Sequence, residues 1–225
     1  QNNGFGDLEK TASKIKVIKE SWLAKWHDSL NSDEEPISYY RVIQEINKNL
    51  DLENSIVTHD AGAPRDTIVP FFSATIPHSY IGWGKTTHLG FGIPLMIGAK
   101  MAQPEKFCLN LMGDGAFGMS GTDIETAVRS GAAITTVLLN NSAMATYSGP
   151  LQGTIGEEAR NRYGVSSMQG DYGNIDEGMG AIGIKVSKPD DTGSALKEAQ
   201  VHNKKGKTVL IEVEADIEQR RSKFQ

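Results

Sequence analysis

The sequence has few of the residues that staple, span or clamp. One cysteine occurs in 225 residues, which excludes internal disulfides and cysteine-ligated iron–sulfur or zinc centres within the chain. That cysteine, Cys108, lies in the apolar run "FCLNLM" and reads as a buried, reduced, inert thiol. No stretch is long and apolar enough to span a bilayer, and no secretory apolar segment opens the chain; the expected compartment is cytoplasmic. An excess of positive charge is missing too. With 23 Lys and Arg against 28 Asp and Glu, the net charge is -5, which argues against a partner held by its phosphate backbone, and the short basic cluster Arg220 to Lys223 reads as a solvated tail. Neither nucleic acid nor membrane is expected as a partner. The chain also lacks an initial methionine and begins at Gln1, so preceding sequence is expected.

What is present fits one large globular unit. At 38% hydrophobic and 23% charged, the chain can bury a single sizeable core. Residues 1–35 read as a helical lead-in and linker, the tail of a preceding domain. They carry Ile15, Ile18, Trp22 and Trp26 at helical spacing and then turn polar and acidic. Residues 36–225 form the main unit. There, "SIVTHD", "KFCLNLM", "AITTVLLNN", "IKVS" and "TVLIEVEAD" read as strands. They alternate with helical runs: "ISYYRVIQEINKNL", "GFGIPLMIGAKMAQ", "SGTDIETAVRSG", "IDEGMGAIG" and "DTGSALKEAQVHN". Val-, Ile- and Leu-rich strands separated by helices predict an α/β fold, a doubly wound, mostly parallel sheet with helices on both faces.

Such sheets bind ligands at the carboxyl ends of their strands. One predicted strand ends in Gly113-Asp114-Gly115 and the next ends in Asn140-Asn141. If the two are neighbours, the Asp114 carboxylate and the Asn141 amide oxygen meet beside helix N-termini, the helix after Asp114 being expected to begin near Ser120. An oxygen-only cage of that kind suits a hard cation such as magnesium, with N–H groups nearby for phosphate oxygens. Each signal alone is ambiguous, since Gly-Asp-Gly is a common turn and asparagines cap helices. Together, with twenty-four residues between Gly115 and Asn140, they make one βαβ crossover tipped with the ligands of a metal diphosphate.

The pair resembles the thiamine-diphosphate binding motif, GDG followed by NN. With "PISYYRVIQEI", "HLGFGIPLMIGAK" and "GKTVLIEVEAD", the resemblance to the C-terminal cofactor domain of the acetolactate synthase and 2-oxo acid decarboxylase family extends over roughly residues 36–216. It implies that Asp114, Asn141 and the carbonyl of Ala143 hold Mg2+. It further implies that Ala61 and Gly62 of "THDAGAP", Gly113, Gly115, Ala116 and Phe117 around the acidic turn, and Met144 after the asparagines approach the diphosphate, mostly through the main chain. Leu89 is implied as the apolar prop that bends the cofactor, and Thr87 as a carbonyl facing its aminopyrimidine. His59 and His88 fall in segments expected to line the cofactor and are the candidates for proton shuttling; the plain alternative for each is a solvated loop histidine. Tyr147 and the glycine-rich run after it fall where the family carries a substrate-facing helix and loop.

The same resemblance implies a thiamine-diphosphate-dependent lyase or transferase acting on a 2-oxo acid or acyl donor. It also implies an active site completed by a glutamate from a pyrimidine-binding domain for which the chain has no second βαβ array, and a dimer or tetramer of complete units. Two alternatives stand beside that expectation: a non-catalytic scaffold subunit that keeps the fold, and a subunit of a 2-oxo acid oxidoreductase, which could not hold its own cluster with one cysteine.

Overall fold

The computed structural model describes residues 7–82, 84, 88–144, 157–164 and 167–218. Five strands, β1 (Ser55–His59), β2 (Phe107–Gly113), β3 (Thr135–Asn140), β4 (Ile182–Val186) and β5 (Val209–Glu214), form one parallel sheet in the order β1-β2-β3-β5-β4. The expected α/β fold with a parallel sheet is what the chain adopts.

The helices in chain order are α1 (Leu8–Ala24), α2 (His27–Leu30), α3 (Tyr39–Asn49), α4 (Ala63–Ile68), α5 (Gly92–Ala102), α6 (Asp114–Ser120), α7 (Asp123–Ser130), α8 (Glu157–Tyr163), α9 (Tyr172–Gly178) and α10 (Asp191–Lys204). Successive side chains of a strand point to opposite faces, and the two faces bury separate clusters. Val57, Leu109, Leu111, Val137, Leu139 and Ile211 pack with Ile43 and Ile46 of α3 and Leu196 of α10. Ile56, Cys108, Met112, Leu138 and Leu210 pack on the other face with Ile93 and Met96 of α5 and Phe117, Ile124 and Ala127 of α6 and α7. The steps from β1 to β2 and from β2 to β3 advance one strand at a time with α5, α6 and α7 on that second face, while Ile68 of the short α4 joins the first cluster. β5 then returns between β3 and β4 through α10 on the first face, as right-handed crossovers require.

The lead-in is not uniform. Leu8, Ile15, Val17 and Ile18 of α1 are exposed, whereas Trp26 and Leu30 are buried in the same cluster as Tyr40 and Phe71. Ring centroids of Trp26 lie 4.8 Å from Tyr40 and 5.2 Å from Phe71. No helix among the described residues is long and apolar enough to cross a membrane.

Two local expectations differ from the structure. The helix read into "SGTDIETAVRSG" is present as α7, but a further helix, α6, precedes it and starts at Asp114 itself, where a turn was expected. "DGAFGMS" carries two glycines and reads as a turn, but burial of Phe117 against Tyr172, at a centroid distance of 5.3 Å, outweighs the roughly 1 kcal/mol cost of each helical glycine. The helix read into "IDEGMGAIG" lies earlier, at Tyr172–Gly178, where Asp171 caps it by accepting from the Asn174 N–H.

Candidate functional site

The β2–β3 register pairs Gly113 with Leu139, so the residues following these strands emerge side by side. A cleft of about 210 Å3 opens there, lined by Tyr39, Ala61, Gly62, Leu89, Gly113, Gly115, Ala116, Asn141, Ala143 and Met144 among others, with Asp114 at its base. Pockets that enclose a small ligand span about 300–1,000 Å3, so the cleft formed by the described residues is smaller than that range.

Asp114 is buried at 2% exposure. Its Oδ1 accepts from the Gly115 N–H at 2.7 Å, while its Oδ2, equally buried, has no hydrogen-bond partner among the described residues. Burial pushes its pKa above the usual carboxylate range, and the N–H groups of Gly115, Ala143 and Ser142 pull the other way. The two strand tips meet: Asp114, Asn141 and Ala143 line the same cleft, and the Met144 side chain lies against Gly115. A buried carboxylate oxygen without a donor is costly unless something positive faces it.

The paired asparagines divide their work. Asn140 staples the turn: its Nδ2 donates to Glu212 Oε1 at 2.8 Å, and its Oδ1 accepts from the Ser142 N–H at 3.1 Å. Ser142 takes a left-handed φ of 52°. Asn141 faces the cleft instead, with Nδ2 donating to the Tyr39 hydroxyl at 2.8 Å and Oδ1 accepting from the Ala143 N–H at 3.0 Å. The available donors are thus one carboxylate, one amide oxygen and main-chain carbonyls, the oxygen set that hard cations prefer. No cluster of three or more His, Cys, Asp and Glu that could hold a metal occurs among the described residues.

The other wall is held by a residue that the sequence did not single out. Asp60, fully buried, accepts from Ala61 and Gly90 N–H groups through Oδ1 at 2.7 and 2.9 Å and from the Gly92 N–H through Oδ2 at 2.8 Å. It clamps the segment around Leu89 to the end of β1. Gly90 suits that clamp for two reasons: its φ of 88° and the 3.0 Å approach that a Cβ there would make to the Ser120 Cβ. The Ala61 N–H is therefore already engaged by Asp60. Gly62, at φ 84°, begins α4 with open space where a Cβ would point.

Leu89 is half-buried and lines the cleft, as does Met144, whose side chain lies against Gly115. Ala116 is in the wall; Phe117 turns into the core beneath. His59 is not a loop histidine. It ends β1, is buried, and contacts the Asp60 carbonyl through Nδ1 at 3.1 Å; burial lowers its basicity. His88 is exposed. Thr87 and Tyr147 lie outside the described residues.

Residues 60–213 match the family model for "Thiamine pyrophosphate enzyme, C-terminal TPP binding domain". The chain belongs to that family. This thiamine pyrophosphate-binding domain is 29% identical over 226 residues to the mitochondrial acetolactate synthase catalytic subunit of Saccharomyces cerevisiae, an alignment covering 93% of this chain and 32% of that protein. It is 29% identical to sulfoacetaldehyde acetyltransferase of Alcaligenes xylosoxydans xylosoxydans over 77% of the chain and 28% of the relative. Among solved structures, the thiamine diphosphate-dependent 4-hydroxybenzoylformate decarboxylase of Rhodococcus jostii RHA1 superposes with a TM-score of 0.67 at 21% identity, over 82% of this chain and 33% of that one, a likeness of fold. The chain spans about a third of the length of the relatives it matches. The strand-end cleft and the orphaned Asp114 oxygen within it fall in the stretch matched by the family model.

Proposed function

We propose that the chain is the cofactor-binding portion of a thiamine-diphosphate-dependent decarboxylase or carboligase of the acetolactate synthase type, acting on a 2-oxo acid or acyl donor. The observation that carries this reading is the buried, unpartnered Oδ2 of Asp114 beside Asn141 at the tips of adjacent parallel strands. In this reading Asp114, Asn141 and the Ala143 carbonyl hold Mg2+. The main chain at Gly62, Gly113, Gly115, Ala116, Phe117 and Met144 approaches the diphosphate, with Ala61 lining the cleft beside it. Leu89, kept in place by Asp60, supports the organic part of the cofactor from below, and Thr87 faces its aminopyrimidine. Thiamine diphosphate, when bound, supplies a cationic ring that accepts the electrons released as a carbon–carbon bond breaks. The chain's own residues would hold the metal that neutralises the phosphate charge, through Asp114 and Asn141, and the apolar Leu89, Ala116 and Met144 would keep water from the buried side of the cleft. Of the two candidate histidines, His59 is the one held in place, buried at the end of β1 against the Asp60 carbonyl.

The remaining wall belongs to a pyrimidine-binding domain or subunit supplying the glutamate that such enzymes require, and the working form is a dimer or tetramer of complete units. The 210 Å3 of the described cleft and the one-third coverage of the relatives support this incomplete-site reading. Residues 1–35 then serve as the tail of a preceding domain and 36–225 as the cofactor unit. A cytoplasmic setting suits the single, buried, unpaired thiol of Cys108. The test is to assay the 225-residue chain with pyruvate, Mg2+ and thiamine diphosphate, alone and with its natural partner polypeptide. Activity is expected only with the partner; robust decarboxylation by the lone chain would refute the incomplete-site account.

A further inference from the structure

Tyr39 plays no part in the reading above, yet its hydroxyl oxygen is where the Asn141 amide nitrogen is held. Tyr39 is the first residue of α3 and is 2% exposed. Ser38 caps that helix through its hydroxyl, which accepts from the Tyr40 N–H at 3.3 Å, so the ring is anchored at a rigid helix start. Its oxygen accepts from Asn141 Nδ2 at 2.8 Å across 102 residues of sequence.

The two ends of an asparagine amide have nearly the same shape and opposite hydrogen-bonding character. A cation accepts only the oxygen end, because the flipped amide would present two N–H protons to it. In this chain two contacts set the orientation: the Ala143 N–H donates to Oδ1 at 3.0 Å, and Tyr39 takes Nδ2 on the opposite side. Asp114, Asn141 and Ala143 line the same cleft, and the edge of the amide that meets Ala143 is the one carrying Oδ1.

We propose that Tyr39 is a positioning residue for the cation site, its hydroxyl locking the Asn141 amide with Oδ1 turned toward the metal. The proposal rests on the function proposed above. Tyr39→Phe keeps the ring and removes only the oxygen. One neutral hydrogen bond contributes roughly 1 kcal/mol, so the affinity of the assembled protein for Mn2+, used as a paramagnetic probe in the presence of thiamine diphosphate, should fall about fivefold. The electron paramagnetic resonance spectrum of the bound ion should broaden as two amide orientations become populated.

Asn141→Asp separates orientation from packing, since a carboxylate has two equivalent oxygens and needs no lock. On that background Tyr39→Phe should change Mn2+ affinity by less than about twofold. Circular dichroism confirms that each variant is folded. Equal Mn2+ affinity and an unchanged spectrum in Tyr39→Phe overturn the positioning role, as does the same loss on both backgrounds, which would make Tyr39 a packing residue only. Wild-type protein that binds no Mn2+ with thiamine diphosphate overturns the cofactor reading itself, so the two failures are distinguishable.

Discussion

The two ends of the parallel sheet carry openings of opposite character. At the amino end a groove of about 730 Å3 is lined by Asp51, Lys100, Lys106, Asn203 and Lys204 among others. At the carboxyl end the cleft is about 210 Å3. The larger opening is the chemically quieter one. Lys100 spends its ammonium on the Lys106 carbonyl at 2.8 Å. The Asn203 amide donates to the carbonyls of Ile134 and Lys207 and accepts from the Thr135 hydroxyl. Asp51 accepts from the Glu53 N–H and from the Asn54 side chain. The smaller cleft instead keeps a buried carboxylate oxygen without a donor. Unspent polarity at the ends of adjacent parallel strands, rather than volume, is what supports the ligand site proposed at the carboxyl end.

The largest effect that would break this contrast is the loss of Asp60. Asp60→Ala leaves the N–H groups of Ala61, Gly90 and Gly92 without their acceptor, at a cost on the order of 3 kcal/mol. For a chain of this size that corresponds to a fall in Tm of roughly 6–12 °C. The loss should concentrate in the segment around Leu89, so hydrogen exchange is the check. Protection lost at Gly90 and Gly92 while the strands stay protected is the expected outcome; an unchanged Tm would mean that the clamp does not hold that wall.

A smaller and pH-dependent effect lies beside the site. Asp176 of α9 is fully buried, and neither of its oxygens has a partner among the described residues. Burial, aided by the negative charge of Glu212, pushes its pKa up to about 8. Between an unfolded value near 4 and that folded value, the folded chain holds a proton that the unfolded chain releases. Stability is therefore greatest at the low end of this window and declines as pH rises through it. Asp176→Asn, which mimics the protonated form, should be nearly neutral at pH 5 and raise Tm by a few degrees at pH 8. Thermal melts at the two pH values check it, and equal shifts at both would remove Asp176 from the account.

The sequence made the carboxyl end legible where function resides in residues that follow a strand directly. Gly113-Asp114-Gly115 and Asn140-Asn141 sit at the ends of β2 and β3, and the continuous apolar runs of those strands, buried on both faces, made a parallel sheet readable. What escaped depends on contacts distant in sequence. Asp60 was visible in "THDAGAP", but its partners lie 30 and 32 residues away. Tyr39 reaches Asn141 over 102 residues, and from periodicity alone it is an ordinary core position of an amphipathic helix. α4 is six residues long with a proline in its first turn, too short to show a helical period. The start of α6 at Asp114 was hidden because its glycines favour a turn, and only packing of Phe117 overrides them.

The central claim is that the carboxyl-end cleft binds a diphosphate through a cation held by Asp114. Calorimetric titration of thiamine diphosphate into the assembled protein, with and without Mg2+, tests it in wild type, Asp114→Asn and the amino-end variant Lys204→Ala. Loss of a charge pair in so buried a place costs about 3 kcal/mol or more. Affinity should therefore fall by at least about 100-fold when either Mg2+ or the Asp114 charge is removed, and should be unchanged in Lys204→Ala. Wild-type binding that ignores Mg2+, or an Asp114→Asn affinity equal to wild type, would contradict the account.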